Sequence, residues 1–218
     1  GDRCGVIKIH IEKNIPVAAG LAGGSGNAAI VIACLNSLME LGMTREEMMD
    51  AGGKIGKDVP FILSEYPCAL ATGDGTILEP VVPLDCFVLL SKPDISVSTG
   101  EMYRKYDEML PDYHPDTQGM IEAIKAKNIE EAGKITGNVL EIVTSAEYNC
   151  INNTKDIMMA CDGNYGASMS GSGPSVFGLF RLLKDTEKAA QKLLSVNTET
   201  YVTKTITEKR KGFADDKL

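Results

Sequence analysis

The stretch Ala18-Ala19-Gly20-Leu21-Ala22-Gly23-Gly24-Ser25-Gly26-Asn27 constrains this chain more than any other part of it. Before it, Ile7-Lys8-Ile9-His10-Ile11-Glu12 alternates strictly, which predicts a strand with one buried and one wet face, ended by Pro16. After it, Ala28, Val31, Leu35 and Leu38 recur at helical spacing, and Gly42 stops that helix. Glycines at 20, 23, 24 and 26 allow positive φ and leave no Cβ in the way of a ligand. A strand, such a turn and a helix start together present backbone N–H groups and a helix N-terminus to an anion, typically phosphate. Ser25 either caps the helix or places its hydroxyl on a phosphate or its magnesium.

Several readings compete for this stretch. A Walker loop requires a Gly-Lys-Ser/Thr ending, which is missing. Gly24-Ser25-Gly26-Asn27-Ala28-Ala29 matches a dinucleotide fingerprint formally. That motif needs a following strand ending in an acid about 20 residues on. Thr44 and Glu47 instead form a capping box for a second helix, ending near Gly53–Gly56. A purely structural turn and a longer phosphate loop remain.

Composition narrows the field. A net charge of -8 disfavours wrapping nucleic acid, and the basic run Lys209-Arg210-Lys211 reads as a solvated tail. No apolar run approaches the roughly 18 residues of a membrane span. The six cysteines, at 4, 34, 68, 86, 150 and 161, form no C-x-x-C pair, and Cys34 and Cys86 read as small buried hydrophobes. A reducing, cytoplasmic setting is expected. His10 and His114 lie far apart and read as surface residues.

Further along, residues 68–72 read as a short strand turned by Gly73-Asp74-Gly75, and the character changes near Pro80–Pro83. Phe87-Val88-Leu89-Leu90 reads as a buried strand. Helices are expected over 118–126, 129–144, 147–160 and 185–195, with strands over 175–180 and 201–207. Strands mixed with helical runs, without regular βαβ units, predict an α+β fold in two domains, 1–82 and 83–218.

The stretch Ile15-Pro16-Val17-Ala18-Ala19-Gly20-Leu21-Ala22-Gly23-Gly24-Ser25-Gly26-Asn27-Ala28-Ala29 resembles the phosphate-binding motif of the 4-diphosphocytidyl-2-C-methyl-D-erythritol kinases, in the GHMP kinase superfamily. Gly56-Lys57-Asp58-Val59-Pro60-Phe61 and Met169-Ser170-Gly171-Ser172-Gly173-Pro174-Ser175-Val176-Phe177 resemble two later motifs of that family, in the same order. Lys92 to Thr99 is similar as well, so the resemblance covers roughly residues 5 to 207.

The resemblance implies transfer of the ATP γ-phosphoryl group to the 2-hydroxyl of 4-diphosphocytidyl-methylerythritol, in the non-mevalonate isoprenoid pathway. It implies that Asp58 takes the proton from that hydroxyl. From the residues alone, Asp58 reads equally as a helix-end or turn aspartate. Pro60 disfavours a helix running through Val59, which places Asp58 at a chain reversal. Pro16, Ala18, Ala19, Gly20, Leu21, Ala22, Gly23, Gly24, Ser25 and Gly26 are implied to hold ATP, with Ser25 also at magnesium. Gly171, Ser172 and Gly173 are implied to line the substrate side.

Three positions depart from the family. Ala22 replaces a glycine, tolerable at negative φ; Gly26 replaces a serine; Lys57 replaces an alanine beside Asp58. An ammonium there either lowers the carboxylate's pKa or points to solvent. Positions 1–13 hold nothing like the family's early strands, active-site lysine and cytidine-binding residues. The first domain is therefore expected to be incomplete, with a sheet edge open to self-association. The alternatives are a nucleotide-binding remnant without kinase activity and another GHMP kinase acting on mevalonate, homoserine or a sugar.

Overall fold

The computed structural model describes residues 6–109 and 111–208. Cys4 and the run Lys209-Arg210-Lys211 lie outside the described residues. The glycine stretch leads into α1 (Gly23–Leu38), followed by α2 (Arg45–Gly53) and α3 (Val59–Ser64). The expected capping box opens α2: Glu47 N donates to Thr44 Oγ1 at 3.2 Å and Thr44 N donates to Glu47 Oε2 at 2.8 Å. Pro60 does more than end a helix, because it sits in the first turn of α3. Its missing N–H costs nothing there, and its fixed φ suits a helix start. At Gly52 an added Cβ would lie 2.6 Å from Val59 Cγ1, so only glycine lets α3 seat this closely on α2. Ala29, Val59 and Leu63 form the small core these helices share.

A hairpin follows, β1 (Ala69–Thr72) against β2 (Ile77–Pro80), turned at Gly73 (φ 65°) and Gly75 (φ 95°). The remaining strands, β3 (Phe87–Lys92), β4 (Asn164–Met169), β5 (Val176–Phe180) and β6 (Glu199–Lys204), form one antiparallel sheet in the order β4-β5-β3-β6. Around it lie α4 (Thr99–Met109), α5 (Thr117–Lys125), α6 (Ile129–Ile135), α7 (Val139–Glu147), α8 (Asn149–Met159) and α9 (Leu183–Leu193). Leu89 packs with Ile151, Met158, Phe180 and Leu193 on one face, while Val88 packs with Ala123, Ile129 and Ala132 on the other. Both faces of β3 are covered, which is why its sequence is a continuous apolar run rather than an alternation. The chain is α+β.

Four expectations change. Residues 6–14 form no strand, and Ile7, Ile9 and Ile11 are exposed. A strand needs a neighbour for its backbone groups, and none of the described residues pairs with this segment. The predicted open sheet edge is therefore not formed there. The single helix over 129–144 is two, α6 and α7. A Cβ at Gly137 would stand 2.0 Å from Tyr113 Oη, and Asn138 starts α7 as its cap by accepting from Leu140 N at 2.9 Å. β4 carries no strand signal because α6 lies directly on it. Added Cβ atoms at Gly133 and Gly166 would meet backbone oxygens at 2.1 Å, so small residues replace β-branched ones. Cys86 is buried as expected, whereas Cys34 is half-buried. Among the described residues no helix is long and apolar enough to cross a membrane.

Candidate active site

A cleft of about 570 Å³ lies where the glycine stretch, the α3 start, α4 and the 170–173 turn meet. Its lining includes Pro16, Ala18, Ala19, Gly20, Leu21, Ala22, Gly23, Gly24 and Ser25, together with Asp58, Gly171 and Ser172. Gly26 stands one step behind, its N–H donating to Ala22 O at 2.9 Å as the first bond of α1. Gly173 (φ 84°) is also behind the lining: a Cβ there would meet Met169 Sδ at 2.5 Å. Three regions remote in sequence are thus brought to one cavity.

The glycine stretch is shaped by two demands. Gly20, at φ 70°, lies so close to the second loop that a Cβ would be 2.1 Å from Ser170 O. Gly24 has nothing within 4 Å of its missing Cβ, and neither has Gly26. The first glycine serves a contact and the other two leave room. Ala18 (φ 51°) and Ala22 (φ 50°) also adopt left-handed backbone. The condition for tolerating Ala22, a negative φ, is not met, so an alanine is held where glycine is favoured.

Ser25 does not cap α1. The cap is Ala22, Ser25 lies inside the first turn, and no side chain closes the helix start. No acidic residue occupies that turn either. The N–H groups and positive dipole end of a 16-residue helix therefore face the cleft with no side chain capping them and no acid in their own turn. That arrangement, with the open side at Gly24, fits a polyphosphate.

The turn between α2 and α3 runs beside this helix start: a Cβ at Gly56 would lie 3.7 Å from Ser25 Oγ. Asp58 follows at the cap position of α3, exposed, and its carboxylate makes no capping hydrogen bond. Lys57 turns away from it and pairs with Asp74 at 2.6 Å in the β1–β2 turn. Hydrogen bonds from Lys57 and then from Thr76 hold the Asp74 carboxyl down to about 2. Among the described residues no group of three or more acidic, cysteine or histidine side chains gathers as a metal site. Any magnesium here would depend on phosphate oxygens as ligands, with Ser25 as the hydroxyl in reach.

The sequence reading passed over two lining residues, and two more, Val17 and Thr99, were quoted within motifs without being singled out. Lys13, whose Nζ lies 3.5 Å from Gly23 O, and Tyr103 of α4, 54% exposed, both line the cleft. Thr99 lines it too, with Thr99 Oγ1 and Ser172 Oγ hydrogen-bonded at 2.7 Å. Lysine at the entry to a glycine stretch is a readable signal. Tyr103 is less so, because α4 buries only Met102 completely and Tyr103 itself stays largely exposed.

Residues 1–65 match the family described as GHMP kinases N terminal domain, and residues 120–203 match GHMP kinases C terminal. The chain is 41% identical over 198 residues to a 4-diphosphocytidyl-2-C-methyl-D-erythritol kinase from Clostridioides difficile (strain 630), covering 90% of this chain and 66% of that protein. It is 42% identical over 203 residues to the enzyme of that name from Caldicellulosiruptor bescii, covering 91% and 69%. A crystal structure of a 4-(cytidine 5'-diphospho)-2C-methyl-D-erythritol kinase superposes with a TM-score of 0.74 at 27% identity, over 88% of this chain and 68% of that one. The chain thus spans about two thirds of the length of these proteins.

Proposed function

Since this chain belongs to the GHMP kinase family, among its 4-diphosphocytidyl-2-C-methyl-D-erythritol kinases, we propose that its cleft transfers the γ-phosphoryl group of ATP to the 2-hydroxyl of 4-diphosphocytidyl-2-C-methyl-D-erythritol. The observation that carries this reading is the company Asp58 keeps. A carboxylate not spent on its own helix cap opens onto the same cavity as an uncapped glycine-rich helix start.

In this reading the N–H groups at the start of α1 hold the phosphate oxygens, and Gly24 leaves the space they need. Asp58 orients the acceptor hydroxyl and takes its proton as the oxygen–phosphorus bond forms and ADP departs. Magnesium bound with ATP supplies charge neutralisation on the phosphates, and Ser25 Oγ is the loop hydroxyl placed to reach it. Gly171 and Ser172 wall the acceptor side, with Ser172 held by Thr99. Tyr103 offers an aromatic face at the rim to a substrate that carries a cytosine ring. Most of the catalysis is then positioning, which suits a site built largely from backbone.

The test is ADP release by the purified protein, with ATP and magnesium, over a panel of alcohols. The cytidyl substrate is expected to be phosphorylated, and mevalonate and homoserine are not. Turnover of mevalonate or homoserine without the cytidyl substrate overturns the assignment. Nucleotide binding without any turnover reduces it to a binding role.

A further inference from the structure

Near the cleft but outside its lining, the N-terminal end of α7 is fastened to the loop that forms the cleft's far wall. Asn138 spends its whole amide on this. Nδ2 donates to Met169 O at 2.8 Å and to Gly171 O at 2.7 Å, while Oδ1 accepts from Leu140 N at 2.9 Å. One turn on, Glu141 accepts from Ser168 Oγ at 2.9 Å and Met169 N at 2.7 Å and is ion-paired to Lys155. The Glu141 side chain is only 14% exposed, so each of these bonds is worth more than a surface contact. From the fastened segment, Ser170 Oγ donates to Gly20 O at 2.9 Å, at the point where the two backbones nearly touch.

We infer that Asn138 and Glu141 are positioning residues for phosphoryl transfer: they hold the 169–173 loop so that it braces the phosphate loop at Gly20. This rests on the kinase reading of the cleft. The physical need is plain, since a displacement of about 1 Å in such a site costs on the order of 10²-fold in rate.

Asn138→Asp separates bracing from capping. Aspartate caps a helix as well as asparagine and suits its positive end. It donates nothing to Met169 O or Gly171 O and faces both with negative charge. Asn128→Asp is the control, because Asn128 caps α6 through Glu131 N at 3.1 Å, away from the cleft. Amide hydrogen exchange of peptides covering 18–26 and 169–173 is measured beside steady-state kinetics. With Asn138→Asp, exchange should quicken about tenfold or more in both peptides. At the same time kcat should fall by about 10- to 100-fold and the KM for ATP should rise. The melting temperature should move by only a few degrees, and Asn128→Asp should behave as the unsubstituted protein. Unchanged exchange in 18–26 overturns the inference, whether or not 169–173 loosens. Coupled loosening in a protein that shows no turnover supports the brace and counts against the kinase reading instead.

Discussion

Residues 6–82 and residues 83–208 are built to different standards. The later region wraps a four-stranded sheet on both faces, with Leu89, Ile151, Met158, Val176, Phe180 and Leu193 all shielded from water. The earlier region fully buries few apolar side chains, chiefly Ala29, Val59 and Leu63. It leaves Ile7, Ile9, Ile11, Ile30 and Leu38 exposed, the last at 68%. α1 is apolar around most of its surface, yet only Ala29 on it is fully buried. A helix of that character is one suited to contact on several sides. The glycine stretch and Asp58 therefore sit on the lightly packed region, and the firm region reaches across to it where Ser170 Oγ donates to Gly20 O. Chemistry and stability are placed apart, so substitutions should separate them.

The largest effect should come from Asp58→Asn. If the carboxylate is the base, turnover falls by roughly 10²–10⁴ while nucleotide affinity stays nearly constant, because the amide keeps the shape. If Asp58 merely closes the α3 turn, turnover stays within a few-fold and only the melting temperature moves. Measuring kcat, nucleotide Kd and Tm on the same protein decides the matter.

Next in size are two core truncations, one in each region. Phe180 is fully buried in the core packed on the sheet, so Phe180→Ala should cost about 3–5 kcal/mol and weaken the whole fold. Leu63 is 3% exposed but has a thinner surround that can relax, so Leu63→Ala should cost about 2 kcal/mol, the low end for such a change. Denaturant titration gives both figures. Hydrogen exchange should show Leu63→Ala loosening α1–α3 while β3 and β5 stay protected. Equal costs, or loosening spread over the sheet, would erase the contrast between the regions.

A smaller effect concerns Lys57 and Asp74, both well exposed. The Asp74 carboxyl is depressed, so its contribution to stability is present above the ordinary carboxylate range and fades as pH falls from about 4 to about 2. Asp74→Asn should remove that acid dependence. An acid dependence that persists unchanged in Asp74→Asn would show that another carboxylate carries it.

What the sequence made legible follows the same division. The capping box at Thr44, the hairpin glycines and the apolar run at Phe87–Leu90 are local signals, and local chemistry decides them. The alternation at Ile7–Glu12 is equally local, but a strand is not, and the periodicity cannot supply the neighbour. β4 and the α6–α7 break were hidden because Gly133, Gly166 and Gly137 answer to close contacts with distant backbone and with Tyr113. At the site, ordered motifs brought the loop, Asp58 and the 171–172 turn together. The roles of Asn138 and Glu141 depend on a turn some 30 residues away and leave no short pattern.

The smallest effect tests whether the lightly packed region also carries avoidable strain. Ala22 caps α1 at φ 50°, a conformation that costs an L-residue about 1–2 kcal/mol and glycine almost nothing. Glycine is also the better helix cap of the two. Against this, glycine gives the unfolded chain more freedom, worth about 0.4–1 kcal/mol. The balance favours Ala22→Gly by about 0.5 kcal/mol, a rise of about 1–2 °C in melting temperature. Ala28→Gly, in the interior of the same helix, relieves no strain and should cost about 1 kcal/mol. Gly20→Ala, made in the same background, should be worst, because its Cβ would drive into Ser170 O. Three substitutions between glycine and alanine within nine residues are thus expected to raise, lower and sharply lower the melting temperature. A fall with Ala22→Gly would mean that the left-handed turn at the loop's exit is not strained and that the region's weakness lies in its packing alone.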